Sequence, residues 1–150
     1  MKDSPRTNQP SGQAAPKPRG YDLEERLLEF AATVIELSEK LPNTRAGNHL
    51  AGQFLRAGTS PYGNHGEAQA PDSADDFIHK MKICLKELRE TLRWARLIHR
   101  MKWLGSDGQL AFALRESEEL VRIFKASIRT ADQNRANRRR GYNTAAPADQ

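Results

Sequence analysis

The chain has 150 residues, a formal net charge of +5, and 37% hydrophobic against 29% charged residues. That composition allows one domain with a core of its own and excludes a wholly disordered chain. A single cysteine, Cys84, excludes an intramolecular disulfide, no apolar run approaches the ~20 residues of a membrane span, and no apolar leader opens the chain, so a reducing, cytoplasmic setting is expected.

Residues 1–20 are rich in proline, glycine and serine, and Pro5, Pro10, Pro16 and Pro18 exclude a continuous helix. The segment is expected to be a disordered basic tail. The first helix is predicted from about Asp22 to Lys40. Asp22 with Glu25 makes a start resembling a capping box. Leu23, Leu27, Phe30, Val34, Leu37 and Leu41 then recur every three or four residues on one stripe.

The second helix is predicted over about Thr44–Ala70. It buries Leu50, Phe54, Leu55 and Ala57 and holds five glycines, with Pro61 expected to kink or break it near Ala57–Ser60. Small residues there allow a neighbouring helix to approach closely. The third runs from an N-cap at Ser73 to about Lys102, with Asp75 and Asp76 favouring the positive end of its dipole. Phe77, Met81, Cys84, Leu88 and Ala95 form its apolar stripe, and a buried, inert Cys84 thiol is expected. The fourth follows the Gly105–Gly108 turn and runs over about 107–130, with Leu110, Leu114, Val121, Phe124 and Ile128 inward. Residues 132–150 contain Arg138-Arg139-Arg140 without apolar periodicity and are expected to form a second disordered, Arg-rich tail. Four amphipathic segments with short connections define an all-α, antiparallel up-down four-helix bundle over residues 21–131.

Charge is uneven along this plan. Residues 1–20 hold Lys2, Arg6, Lys17 and Arg19 against Asp3, and residues 131–150 hold four arginines against Asp132 and Asp149. The stretch between sums to neutrality, so the pI of 9.6 is no sign of nucleic-acid binding in itself.

Catalytic patterns are missing. A carboxylate-bridged metal site in a bundle needs inward glutamates and two Glu-x-x-His motifs, and the nearest pattern here is one Asp76-x-x-His79. His49, His65, His79 and His99 do not pair on a helix face and read as surface or interface groups. There is no Gly-x-Ser-x-Gly and no phosphate-cradling glycine loop, and neither Ser60 nor Ser117 shows an activating base. No catalytic residue, metal or cofactor is assigned, and a non-enzymatic protein is expected.

Two polar patterns remain. Asn64-x-x-Glu67 reads either as a recognition site in a groove or as a polar pin between helices two and three, completed by Glu87, Arg89 or Thr91. On helix three, Lys82, Lys86, Arg89, Arg93, Arg96 and Arg100 follow one another at spacings of 4, 3, 4, 3 and 4. That stripe suits a phosphate-binding face, a subunit interface that also uses Ile83, Trp94 and Leu97, or a solvated face with pairs such as Glu90–Lys86.

Several stretches in order carry a family resemblance. They are Leu55-Arg56-Ala57-Gly58-Thr59-Ser60-Pro61, Asn64-His65-Gly66-Glu67-Ala68, Asp76-Phe77-Ile78-His79-Lys80-Met81-Lys82 and Lys86-Glu87-Leu88-Arg89-Glu90-Thr91. Glu118-Glu119-Leu120, Ile123-Phe124 and Ser127-Ile128 continue them. Over about residues 21–131 the chain resembles the four-helix-bundle proteins encoded in intervening sequences of bacterial 23S rRNA genes. It departs from the family's pattern at Gly63, where an apolar residue is common, and at His65, where an aromatic one is. The resemblance implies an antiparallel bundle that assembles as a homopentamer and has no enzymatic activity. A related branch is the accessory protein of diversity-generating retroelements, which binds a reverse transcriptase and nucleic acid. The resulting expectation is a self-associating adaptor for RNA, DNA or a nucleic-acid enzyme, with no membrane partner. The competing expectation is a protein-interaction module with no nucleic-acid role.

Overall fold

A computed structural model describes residues 19–144. Four helices follow one another: α1 (Arg19–Glu39), α2 (Arg45–Ala68), α3 (Ala74–Met101) and α4 (Gly108–Thr144). Each packs on the next in sequence, and α4 closes on α1, while the backbones of α1 and α3 stay farther apart. The result is an up-down bundle with α1 and α3 at opposite corners. No strand occurs among the described residues.

The periodic apolar positions converge. Leu27, Phe30, Val34 and Leu37 of α1 meet Phe54 of α2, Met81, Cys84, Leu88, Ala95 and Ile98 of α3, and Leu110, Leu120 and Phe124 of α4 in one core. Leu55, expected inside, is exposed at the margin of α2. Burial of side chains of this size stabilises by about 1.5–3 kcal/mol each, so the core sets the positions of the four helices.

The starts of α2 and α3 are capped as their sequences suggest. Thr44 Oγ1 accepts from Gly47 N at 3.0 Å, and Ser73 Oγ accepts from Asp76 N at 3.0 Å. Asp107 does the same for α4, accepting from Gln109 N at 2.8 Å and Leu110 N at 3.2 Å. Its carboxyl is held below the usual range, first by its hydrogen bond with Lys40.

Two expectations need correction. Pro61 does not break α2, which is continuous from Arg45 to Ala68. Its ring is buried, and its carbonyl accepts the Cys84 thiol of α3 at 3.6 Å. Tertiary packing on both neighbours therefore holds a helix that local propensity disfavours. The second correction concerns residues 132–144, which continue α4 instead of forming a tail. Arg135 ties this segment to the bundle. It bonds Asp132 on its own helix at 2.8 Å and Asp75 on α3 at 2.7 Å, and Arg139 approaches Asp75 at 3.6 Å. Alanine, glutamine and arginine in this segment also favour a helix. The expected disorder of residues 1–18 and 145–150 lies outside the described residues.

Candidate nucleic-acid interface

The long α3 carries the candidate stripe on a rigid support. Lys82, Lys86, Arg89, Arg93, Arg96 and Arg100 are all exposed. From Lys82 to Arg100 the helix rises by about 27 Å. Arg96 pairs with Glu118 of α4 at 3.4 Å. The other five have no ion-pair partner among the described residues. The expected Glu90–Lys86 pair does not form. Glu90 turns the other way and binds Arg56 of α2 and the Trp94 indole, whose Nε1–H donates to it at 3.2 Å.

Those partners fix the rotation of α3. Lys80, Glu87, Glu90 and Trp94 lie on the flank beside α2, whereas Arg96 marks the flank beside α4. The cations and the apolar residues Trp94, Leu97 and Met101 therefore run side by side rather than interleaved. A shallow depression of about 410 Å³ lies over Trp94 and Leu97, bordered by Glu90, Arg93 and Arg96.

On the other flank, α4 adds cations that a reading of α3 alone does not supply. A depression of about 370 Å³ between the helices is bordered by Leu85 and Ile128, by Arg89, Lys125 and Arg129, and by Asp132 and Gln133. Lys125 and Arg129 also have no ion-pair partner among the described residues. Their spacing of four on a predicted helix is the signal that could have revealed them. The candidate surface is thus a two-helix cationic flank, with Lys82, Lys86, Arg89 and Arg93 on one wall and Lys125 and Arg129 on the other.

Neutrality of the bundle conceals a strong separation of charge. Asp22, Glu24, Glu25, Glu29, Glu36 and Glu39 stand on α1 against only Arg19 and Arg26. In contrast, α3 holds seven cations against four carboxylates, and α4 eight against four. Every carboxylate on α3 and α4 takes part in an ion pair. None of the six on α1 does among the described residues. Uncompensated negative charge therefore collects at the α1 corner, and uncompensated positive charge at the α3–α4 side.

The polar pin comes apart into separate contacts. Asn64 bonds within its own helix, donating to Ser60 O at 3.1 Å and Ser60 Oγ at 2.9 Å. Glu67 accepts from Lys80 of α3 at 2.9 Å, and Glu87 accepts from Arg56 at 3.1 Å. The α2–α3 seam is held by Arg56 and Lys80, with Asn64 outside it. Thr91 is fully buried and donates to Glu87 O at 2.7 Å within α3.

Two titratable groups among the described residues are interior. Cys84 is fully buried, and desolvation pushes its thiol up to about 12, which keeps it protonated and inert. His65, expected at a surface or interface, is 3% exposed. Its ring stands edge-on to Phe124 with centroids 6.1 Å apart, Nε2 lies 3.1 Å from Gln69 Nε2, and Nδ1 has no hydrogen-bond partner. Desolvation lowers its pKa, with Glu24 acting in the opposite direction. No cluster of three or more histidine, cysteine or acidic side chains converges as a metal site among the described residues. No helix among them is long and apolar enough to cross a membrane.

These features define a small antiparallel four-helix-bundle protein with a cationic flank. The 23S rRNA-intervening sequence protein family matches residues 21–126, and the chain belongs to that family. It is also similar to a crystal structure of a protein of unknown function from the S23 ribosomal protein family of Bacteroides thetaiotaomicron. The two are 31% identical with a TM-score of 0.66, over 73% of this chain and 97% of that one. No curated protein matches the chain.

Proposed function

We propose that this chain is a non-enzymatic, self-associating adaptor that binds nucleic acid, alone or within a nucleic-acid enzyme complex, through the α3–α4 flank. The observation that carries the reading is the set of exposed cations without ion-pair partners among the described residues at Lys82, Lys86, Arg89, Arg93, Lys125 and Arg129. Cations whose charge is not already satisfied release counterions when they meet phosphates. The stripe is about 27 Å long, matching roughly eight nucleotide steps of one strand of a duplex. No reaction and no cofactor is assigned to the protein.

Titration of duplex DNA and of a structured RNA at several salt concentrations tests the reading. Affinity should fall steeply and linearly on a log–log plot. Lys86→Glu with Arg89→Glu, and separately Lys125→Glu with Arg129→Glu, should each weaken binding by tenfold or more and flatten the salt slope. No binding at low salt overturns the proposal.

The apolar surface at Trp94, Leu97 and Met101 favours a second contact, with protein. It occupies the flank of α3 that the cations leave free, so the two contacts are compatible.

A further inference from the structure

We infer that the depression over Trp94 and Leu97 is a stacking site for an unpaired nucleobase of a strand whose phosphates lie along the α3 cations. The inference deepens the nucleic-acid reading proposed above and rests on it.

The Trp94 indole is a fixed platform. Its Nε1–H donates to Glu90 Oε1 at 3.2 Å, one turn back on α3. Arg56 of α2 binds the same oxygen, so the carboxylate that orients the ring is itself anchored from a second helix. Part of the indole packs on the core, and the part left exposed lines the depression with Leu97. The polar edge of the ring is satisfied inside the chain, which leaves apolar ring surface for a ligand. An aromatic surface beside cations holds nucleobases by stacking, and it does so for any base.

Charge decides the occupant. Arg93 and Arg96 border the depression together with Glu90. A phosphate placed there meets the Glu90 carboxylate and is repelled. A base carries no charge, and the amino group of cytosine donates to a carboxylate. Oε2 of Glu90 has no hydrogen-bond partner among the described residues and can accept it.

The site is continuous with the cationic stripe. A second depression of about 420 Å³ lies beside Leu85 and is bordered by Lys82, Lys86, Arg89, Glu90 and Arg93. Glu90 and Arg93 belong to both depressions, and Arg93 has no ion-pair partner among the described residues. Arg93 and Trp94 are neighbours in the chain, so a strand with a phosphate on Arg93 has a base within reach of the indole.

Bases in a duplex are stacked on both faces and show only their edges in the grooves. The depression therefore takes a base from a single strand, a loop or a bulge. Met101 lies two turns beyond Trp94, about 10 Å along the helix, and stays open to the protein contact proposed above.

The experiment titrates the full chain with a single-stranded oligodeoxycytidylate of about twelve nucleotides and with an abasic strand of the same number of phosphates. The cytidylate should bind at least about fivefold more tightly than the abasic strand. Trp94→Ala should weaken cytidylate binding by roughly five- to a hundredfold and leave the abasic strand's affinity unchanged. The salt slope should stay the same for both strands, because no phosphate contact is removed. Trp94→Tyr should keep most of the affinity, and circular dichroism checks the fold of each variant. In a Trp103→Phe background Trp94 is the one tryptophan left. Its emission should be quenched by the cytidylate and not by the abasic strand, a readout that decides the matter even where Trp94→Ala fails to fold. Equal affinity for the two strands, or emission that the cytidylate leaves unchanged, overturns the base site and leaves phosphate binding at the α3–α4 flank standing. No binding of either strand at low salt also overturns the base site. The nucleic-acid reading falls with it only where duplex DNA and structured RNA fail to bind as well.

Discussion

A methyl group placed on Gly58 of α2 would lie 2.5 Å from Cγ1 and 2.7 Å from Cγ2 of Val34 on α1. Both residues are buried, so the two helices meet here at backbone-to-side-chain distance. Gly58→Ala should therefore destabilise, although alanine is the better helix former. Overpacking of this kind costs about 1–3 kcal/mol. Urea unfolding should show the loss. Adding Val34→Ala should recover part of it, and additive losses in the double variant would disprove the steric account.

His65 should make stability depend on pH. Burial lowers its pKa from 6.5, so the unfolded chain takes up the proton at a higher pH than the bundle does. Protons bound by the unfolded state then exceed those bound by the native state as pH falls through that window. The neutral ring's contribution is thus complete above about pH 6.5 and is lost progressively below it. Unfolding free energy should fall from about pH 7.5 to about pH 5.5, and His65→Gln should flatten that slope. An equal slope in both proteins would remove His65 as the cause.

Lys102 ends α3 at φ 58° and ψ 24°, the left-handed region, with its N–H donating to His99 O at 3.1 Å. A side chain in this conformation costs about 1 kcal/mol that glycine avoids. Lys102→Gly should raise stability by about that amount, a Tm increase of roughly 2–4 °C for a chain of this size. A lower Tm would show that the lysine side chain contributes something the turn needs.

Cys84 should be silent in the native state. Its thiol is buried at the α2–α3 contact, donates to Pro61 O and is protonated at neutral pH. An aromatic disulfide reagent should give no fast reaction with the folded protein and one thiol per chain in denaturant. Rapid native labelling would mean that α2 opens at Pro61.

The four helices were legible because burial repeats every three or four residues, and Ser73 announced its own cap. The length of α4 was not legible. Residues after Thr130 lack apolar periodicity, and their ion pairs to α3 run to Asp75, sixty positions before Arg135. The pin at Asn64 misled because a polar pair at i, i+3 does not say which neighbour it faces; Asn64 chose Ser60. Of the site, the stripe on α3 was legible as a spacing. Its α4 wall was not, since pairing Arg89 with Lys125 and Arg129 requires the rotation of both helices. A total of charges likewise hid the separation, which becomes visible only when each carboxylate is assigned a partner.

The continuation of α4 changes what Arg138, Arg139 and Arg140 present. As an extended run they would form one dense cluster that adapts to any surface. On a helix, successive residues turn by about 100°, so the three arginines form a collar around the rod. Arg139 already leans inward to Asp75. A flat surface can touch the collar at one or two of its members, and only a partner that wraps the helix end can engage all three.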